Sequence, residues 1–237
     1  VGKYNCDAGV MISASHNPCE YNGIKIFQGN GYKLPDETEE EIEAIVLDNA
    51  EETELKIGGE VGNRVYCKTA VEDYIQHVVA VSDVRFDGLN IALDTANGSA
   101  SVCAKEIFTR LGAKCHMLSD TPDGVNINKN CGSTHPEELM KFVKANKLDL
   151  GLAFDGDADR MLSVDENGYL IDGDMIIAIC SMQMKQEGKL NKDTAVVTVM
   201  SNMGFFKFCE ENGIHCAKTA VGDRYVLERM LKKGYNI

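Results

Sequence analysis

Leu89-Asn90-Ile91-Ala92-Leu93-Asp94 is an apolar run that leads into a small-residue turn at Asn97-Gly98. An apolar-periodic stretch follows at 100–111, then Gly112, then a second apolar run at 114–118. These segments predict strand, turn, helix, helix stop and strand. The same order returns further on, with a strand at 195–199, a turn at Ser201-Asn202-Met203-Gly204, a helix at 205–211, a stop at Gly213 and a strand at 214–218. Strands that alternate with helices imply α/β layers with mixed or mostly parallel sheets. In such layers ligands collect beyond the carboxyl ends of the strands.

Upstream, residues 8–13 predict a short buried strand, Ser15-His16-Asn17-Pro18 a polar turn, and residues 23–27 a half-buried alternating strand. A helix opens with Asp36 as N-cap and Glu39 three residues later, carrying Ile42, Ile45 and Val46 on one stripe. Residues 57–67 predict a glycine-bearing loop, and residues 69–80 a helix with Val71, Tyr74, Ile75, Val78 and Val79 on one face. Downstream, Thr134 and Glu137 match a capping box with Pro136 in the first turn. A strand at 149–154 runs straight into Asp155, and Glu166-Asn167-Gly168 reads as a hairpin turn.

The 237 residues carry a formal net charge of −13. Eleven acidic residues against one lysine give residues 36–60 a local −10, which leaves −3 for the rest of the chain. The run reads as a solvated helix face, and the overall acidity argues against nucleic acid or an anionic membrane as partner. No apolar run approaches the roughly 20 residues of a membrane span. The nine cysteines form no C-x-x-C pair and the five histidines no H-x-x-H or H-x-x-x-H pair. The expectation is therefore reduced, mostly buried thiols in a cytoplasmic protein, and no zinc site.

Asp155-Gly156-Asp157-Ala158-Asp159-Arg160 sets three carboxylates at alternate positions between small residues. Brought within about 5 Å, each pair repels by roughly 3 kcal/mol at an effective dielectric of about 20. Three pairs approach the whole stability of a domain, roughly 10 kcal/mol. A divalent cation relieves this most simply, and all-oxygen ligands favour Mg²⁺ or Ca²⁺ over zinc. An EF-hand also has acids at this spacing, but Arg160 stands where that loop needs glycine, and a strand precedes it. An exposed acidic loop without a ligand is the plainer alternative. The serine turn alone is ordinary turn chemistry. Beside a metal with open coordination positions, however, a serine hydroxyl could carry a phosphate, with His16, Lys25 and Arg160 as nearby cations. Lys25 taken by itself reads as an outward, solvated strand lysine.

Gly9-Val10-Met11-Ile12-Ser13-Ala14-Ser15-His16-Asn17-Pro18, with Tyr21-Asn22-Gly23-Ile24-Lys25, resembles the phosphoserine loop of the α-D-phosphohexomutases, and residues 155–160 resemble their metal loop. Cys131-Gly132-Ser133-Thr134-His135-Pro136-Glu137, Met200-Ser201-Asn202-Met203-Gly204 and Val221-Gly222-Asp223-Arg224-Tyr225-Val226 resemble the glucosamine-phosphate branch of that family.

The resemblance implies three-layer α/β domains with mixed, mostly parallel sheets: residues 1–82 as the later part of a first domain, 83–168 as a second, and 169–237 as the start of a third. It implies interconversion of glucosamine 6-phosphate and glucosamine 1-phosphate on the bacterial route to UDP-N-acetylglucosamine and peptidoglycan. Glucosamine 1,6-bisphosphate would be the intermediate and activator, and a homodimer is one assembly open to it. Phosphomannomutase or phosphoglucomutase specificity is the near alternative, and a non-catalytic divalent-metal module the distant one.

By the same resemblance, Ser15 carries the phosphoryl group and Mg²⁺ binds it with Asp155, Asp157 and Asp159. Lys25 and His16 match positions near the transferring group and are the candidates for proton handling, and Asp223 and Arg224 face the sugar; Arg160 keeps its reading as a nearby catalytic cation. Family members have four domains. The chain would then begin inside the first, after an early active-site arginine, and stop before the Gly-Glu-x-Ser-Gly sugar loop and the phosphate-gripping fourth domain. On that expectation residues 1–237 alone turn over little or nothing.

Overall fold

The computed structural model describes residues 1–47 and 55–237. The part of the acidic run that holds Asp48, Glu51, Glu52 and Glu54 lies outside the described residues.

The segment quoted first forms the centre of a five-stranded sheet. Strands β3 (Asn90–Asp94), β4 (Lys114–Leu118) and β5 (Leu150–Phe154) are mutually parallel, in the order β4-β3-β5. Strands β6 (Met161–Val164) and β7 (Leu170–Ile171) continue the sheet antiparallel beyond β5. Side chains alternate across a strand, so β3 must find two apolar partners. Ile91 and Leu93 pack with Ala100, Ala104, Ala113 and Leu152 beneath α3 (Ala104–Arg110). Ala92 packs with Leu139, Val143, Leu148, Ala153 and Val164 beneath α4 (Glu137–Asn146). This is the three-layer arrangement in which a parallel strand is buried on both faces.

Ahead of this sheet, β1 (Ala8–Ile12) and β2 (Ile24–Gln28) pair antiparallel, with Ile12 opposite Ile24. The chain from 13 to 23 therefore leaves and re-enters the pair at one end, and the serine turn lies on that excursion. Helices α1 (Asp36–Leu47) and α2 (Ala70–Val81) follow. After the sheet come α5 (Gly173–Gln186), β8 (Thr194–Thr198), α6 (Met203–Glu211), β9 (His215–Thr219) and α7 (Asp223–Lys233). Strands β8 and β9 are parallel. Their core gathers Leu190, Ala195, Val197, Phe205, Cys209 and Ile214.

Four local expectations are corrected. The first strand is not buried: Val10 and Ile12 are 66% and 71% exposed, because a two-stranded pair covers only one of its faces. The thiols are free but not mostly buried, since only Cys131 and Cys209 lie in the core. The capping box does not form: Pro136 occupies the N-cap of α4, and no side chain caps that end. Asp36 is the first helical residue rather than the cap, as Pro35 supplies the carbonyl that receives the amides of Thr38 and Glu39. Among the described residues, no helix is long and apolar enough to cross a membrane.

Candidate active site

The acidic loop joins the last parallel strand to the first antiparallel one. Phe154 pairs with Met161, so residues 155–160 form a closed excursion from the end of β5. Its ring is tied from within. The amide of Asp155 donates to the carbonyl of Arg160 at 3.3 Å, and the amide of Arg160 donates to Asp155 Oδ1 at 3.1 Å. The curl brings one carboxylate oxygen each from Asp155, Asp157 and Asp159 within 4.8 Å of one another. Asp155 is fully buried, and only 1% of the Asp157 side chain is exposed.

Backbone packs directly on backbone where the loop meets its neighbours. A Cβ on Gly98 would collide with the main chain of Gly156, and one on Gly156 with the Ser15 carbonyl, the Asn128 amide and Ile127. The Ser99 amide donates to the Gly156 carbonyl at 2.8 Å, which pins the turn after β3 to the acidic loop. Glycine at both positions lets three segments meet where any side chain would hold them apart.

The serine turn docks on this assembly. Ser15 Oγ donates to Asp155 Oδ2 at 2.8 Å, although 140 positions separate the two residues. Ser15 adopts a left-handed backbone (φ 53°), an uncommon conformation for a non-glycine residue. The Ser15 amide donates to Ser13 Oγ at 2.9 Å.

Lys25 also joins the acids. Its ammonium donates to Asp157 Oδ2 at 2.5 Å and Asp159 Oδ2 at 3.1 Å, so the lysine is not simply solvated. Burial pulls the Lys25 ammonium down, but the hydrogen bonds to Asp157 and Asp159 outweigh it and hold it above its ordinary range. Burial likewise pushes the Asp157 carboxyl up, and hydrogen bonding and charge, chiefly from Lys25, more than offset this, leaving it below the usual carboxylate range. The Arg160 guanidinium lies 3.8 Å from Asp159 Oδ1 and 4.0 Å from Asp155 Oδ2.

His16 is exposed on the turn and makes no side-chain hydrogen bond among the described residues. Asp223 and Arg224, at the start of α7, engage the first segment instead of the acidic triplet. Lys33 donates to both Asp223 oxygens, at 2.9 and 2.6 Å, and holds that carboxyl below its usual range. Arg224 donates to Asp36 and to Glu228.

A hard dication fits this donor set. Three carboxylates converge with two cationic side chains beside them, so the cluster keeps an excess negative charge. Asp157 Oδ1 is buried without a hydrogen-bond partner, an acceptor left free among oxygen donors. Sequence reasoning missed three residues here: Ser13, Lys33 and Asn128. The last donates to the carbonyls of Ser15 at 2.8 Å and Asn17 at 2.9 Å. The alternation Asn126, Asn128, Asn130 was a usable signal, since asparagine is the residue that most readily takes left-handed backbone after glycine.

Three family models match in succession. They describe the α/β/α domains I, II and III of phosphoglucomutase/phosphomannomutase, and they match residues 1–53, 72–168 and 172–237. A phosphoglucosamine mutase of Clostridium novyi (strain NT) is 54% identical over 235 residues, covering 99% of this chain and 52% of that protein. The phosphoglucosamine mutase of Clostridium acetobutylicum is 55% identical over 235 residues, with the same two coverages. The chain thus spans about half the length of the curated relatives it matches.

Among solved structures, a phosphoglucomutase/phosphomannomutase family protein from Burkholderia thailandensis shares the fold with a TM-score of 0.77 at 24% identity, over 97% of this chain and 48% of that one. An N-acetylphosphoglucosamine mutase of Aspergillus fumigatus, solved with GlcNAc-6P and magnesium, shares it with a TM-score of 0.63 at 21% identity, over 95% of this chain and 58% of that one. Three domain models in their expected order, over an acidic ring that receives a serine hydroxyl, place this chain in the phosphoglucomutase/phosphomannomutase family of phosphohexomutases.

Proposed function

We propose that this chain carries the phosphoryl-transfer half of a phosphoglucosamine mutase, which interconverts glucosamine 6-phosphate and glucosamine 1-phosphate. The observation that carries the reading is the 2.8 Å hydrogen bond from Ser15 Oγ to Asp155, within a triplet of converging carboxylates. The relatives named above as phosphoglucosamine mutases support the sugar. The proposed division is a first domain to residue 82, a second at 83–168 and a third from 169.

Asp155, Asp157 and Asp159 would hold Mg²⁺, with a Ser15 phosphate oxygen completing the set. When bound, the ion neutralises charge on the transferring phosphoryl group. Asp155 and the left-handed turn fix the position of Ser15 Oγ. In the forward direction the bond from phosphorus to Ser15 Oγ breaks as one forms to the sugar's C1 hydroxyl oxygen, whose proton leaves to a base. The product is glucosamine 1,6-bisphosphate. The bisphosphate turns over and returns its 6-phosphoryl group to Ser15, releasing glucosamine 1-phosphate.

Lys25, within hydrogen-bond distance of two of the carboxylates, and the exposed His16 are the groups for proton handling. Arg160 adds positive charge beside the triplet. Asp223 and Arg224 would meet the sugar from the third domain. The substrate is a small phosphosugar, the compartment the cytoplasm and the assembly a homodimer.

Intact-mass measurement after incubation with Mg²⁺ and a hexose 1,6-bisphosphate tests the reading. One added phosphoryl group, absent from Ser15→Ala, is expected. A chain that stays unmodified while it binds Mg²⁺ would favour a non-catalytic metal module. Comparing bisphosphates of glucosamine, mannose and glucose as donors tests the sugar, and equal uptake from all three would remove the case for glucosamine.

A further inference from the structure

We propose that Asn128 is a positioning residue for the phosphoryl-carrying serine, acting through the backbone of the serine turn. The proposal rests on the reading of Ser15 given above. Asn128 is 5% exposed and belongs to the loop between β4 and α4. Its side-chain amide donates to the Ser15 carbonyl at 2.8 Å and to the Asn17 carbonyl at 2.9 Å. Both protons of one NH₂ group thus go to a segment more than a hundred residues away. Because both partners are carbonyl oxygens, the nitrogen must face the turn, and Oδ1 is left buried with no partner. A buried unpaired acceptor is destabilising, so stability of the residue's own loop does not account for this arrangement.

The pedestal beneath Asn128 is rigid. Its backbone amide donates to the Ala96 carbonyl at 2.9 Å, and the Ala96 amide donates to Asp94 Oδ1 at 3.0 Å. Asp94 Oδ2 in turn receives the Gly132 amide at 2.8 Å, which fixes the far side of the same loop to the end of β3. Asn128 itself is left-handed (φ 57°), a conformation asparagine tolerates better than most residues.

Beside the Ser15 carbonyl and the Asn128 amide stands Gly156, where an added methyl would strike both. The peptide that follows Ser15 is therefore held where the acidic loop and Asn128 meet it together. That grip keeps Ser15 in its uncommon backbone conformation and aims Oγ at Asp155. Among the described residues the Asn128 side chain hydrogen-bonds neither the hydroxyl nor the carboxylates, so its effect on transfer is indirect.

The test compares wild-type chain with Asn128→Leu and Asn128→Asp, which keep the size of the side chain and remove the donor. Amide hydrogen exchange is read separately for residues 13–18 and for β3 and β5. Exchange in the turn should rise roughly tenfold or more, as expected for the loss of two neutral hydrogen bonds, while β3 and β5 stay protected. Uptake of a phosphoryl group from a hexose 1,6-bisphosphate should slow in parallel.

Unchanged exchange in the turn overturns the proposal, and so does loosening that spreads equally to β3 and β5. If neither variant folds, the side-chain amide protons of wild-type Asn128, followed by NMR, decide: slow exchange supports the grip, and exchange at the solvent rate refutes it. Wild-type chain that accepts no phosphoryl group counts against the mutase reading, and the exchange results then judge the grip by themselves.

Discussion

Replacing Lys25 by methionine separates the ammonium that the acidic triplet holds from the dication proposed for it. The ammonium lies 2.5 and 3.1 Å from oxygens of Asp157 and Asp159. At an effective dielectric of about 20 these contacts amount to roughly 12 kcal/mol of gross attraction, set against about 3 kcal/mol of repulsion for each carboxylate pair. The net value is far smaller. Breaking a buried pair costs about 3–5 kcal/mol, and here Lys25 is 28% and Asp159 48% exposed, so about 2–3 kcal/mol is expected. For a chain of this size that lowers Tm by roughly 5–10 °C in the presence of a chelator.

Mg²⁺ should act in the opposite sense on the variant. In the wild type the ion competes with an ammonium for the same oxygens, and in Lys25→Met it does not, so binding should tighten about tenfold or more. At saturating ion this adds about 1.4 kcal/mol to the stabilisation. Calorimetric melting in chelator and in millimolar Mg²⁺ measures both effects. A variant as stable as wild type in chelator, or one with a smaller Mg²⁺-induced rise in Tm, would refute the view that lysine and dication share one set of acceptors.

Three further outcomes are expected. Gly156→Ala should cost about 1–3 kcal/mol by overpacking and slow phosphorylation of Ser15, because the methyl meets the Ser15 carbonyl; melting and intact-mass time courses check both. Leu139→Ala, at a fully buried position that packs with Ala153 of the strand leading into the acidic loop, should cost about 2–5 kcal/mol in denaturant titration. Asp73 is hydrogen-bonded by Tyr4, Lys3 and Thr69, which bring its carboxyl down to about 2. Since that lies below the unfolded value of about 4, the stabilisation is present above about pH 4 and is lost as pH falls through about 2. The gap in Tm between wild type and Asp73→Asn should close over that interval; a gap that persists at the acid end would contradict the assignment.

The fold and the segments of the candidate site were legible where their signals are local. Strand, turn and helix alternate plainly over 89–118 and 195–218, and both runs fold as strand, helix and strand. The acidic triplet is legible because its members are two residues apart and the strand before it is apolar. What could not be read depends on the other side of a contact. Lys25 sits on an alternating strand whose register alone decides whether it meets water or Asp157. Lys33 meets Asp223, and Arg224 meets Asp36, across nearly two hundred residues. The cap of α4 failed because Pro136 took the N-cap itself. The exposure of β1 could not be foreseen either, since strand composition does not reveal how many strands share a sheet.

The 140 residues between Ser15 and Asp155 make their contact the long-range closure of the site. The strand pairs close over 59 residues or fewer, the most distant being Ile91 with Leu150, whereas the meeting of hydroxyl and carboxylate closes a loop of 140, at a modestly greater entropic cost. The ring of residues 155–160 closes within its own sheet and draws no bond of that closure from the turn. If Ser15 carries the phosphoryl group as proposed, an undocked turn exposes it as an ordinary alcohol, and its reactivity depends on that docking. Phosphoserine content would then report completed maturation of the molecule as directly as any spectroscopic probe of its tertiary structure.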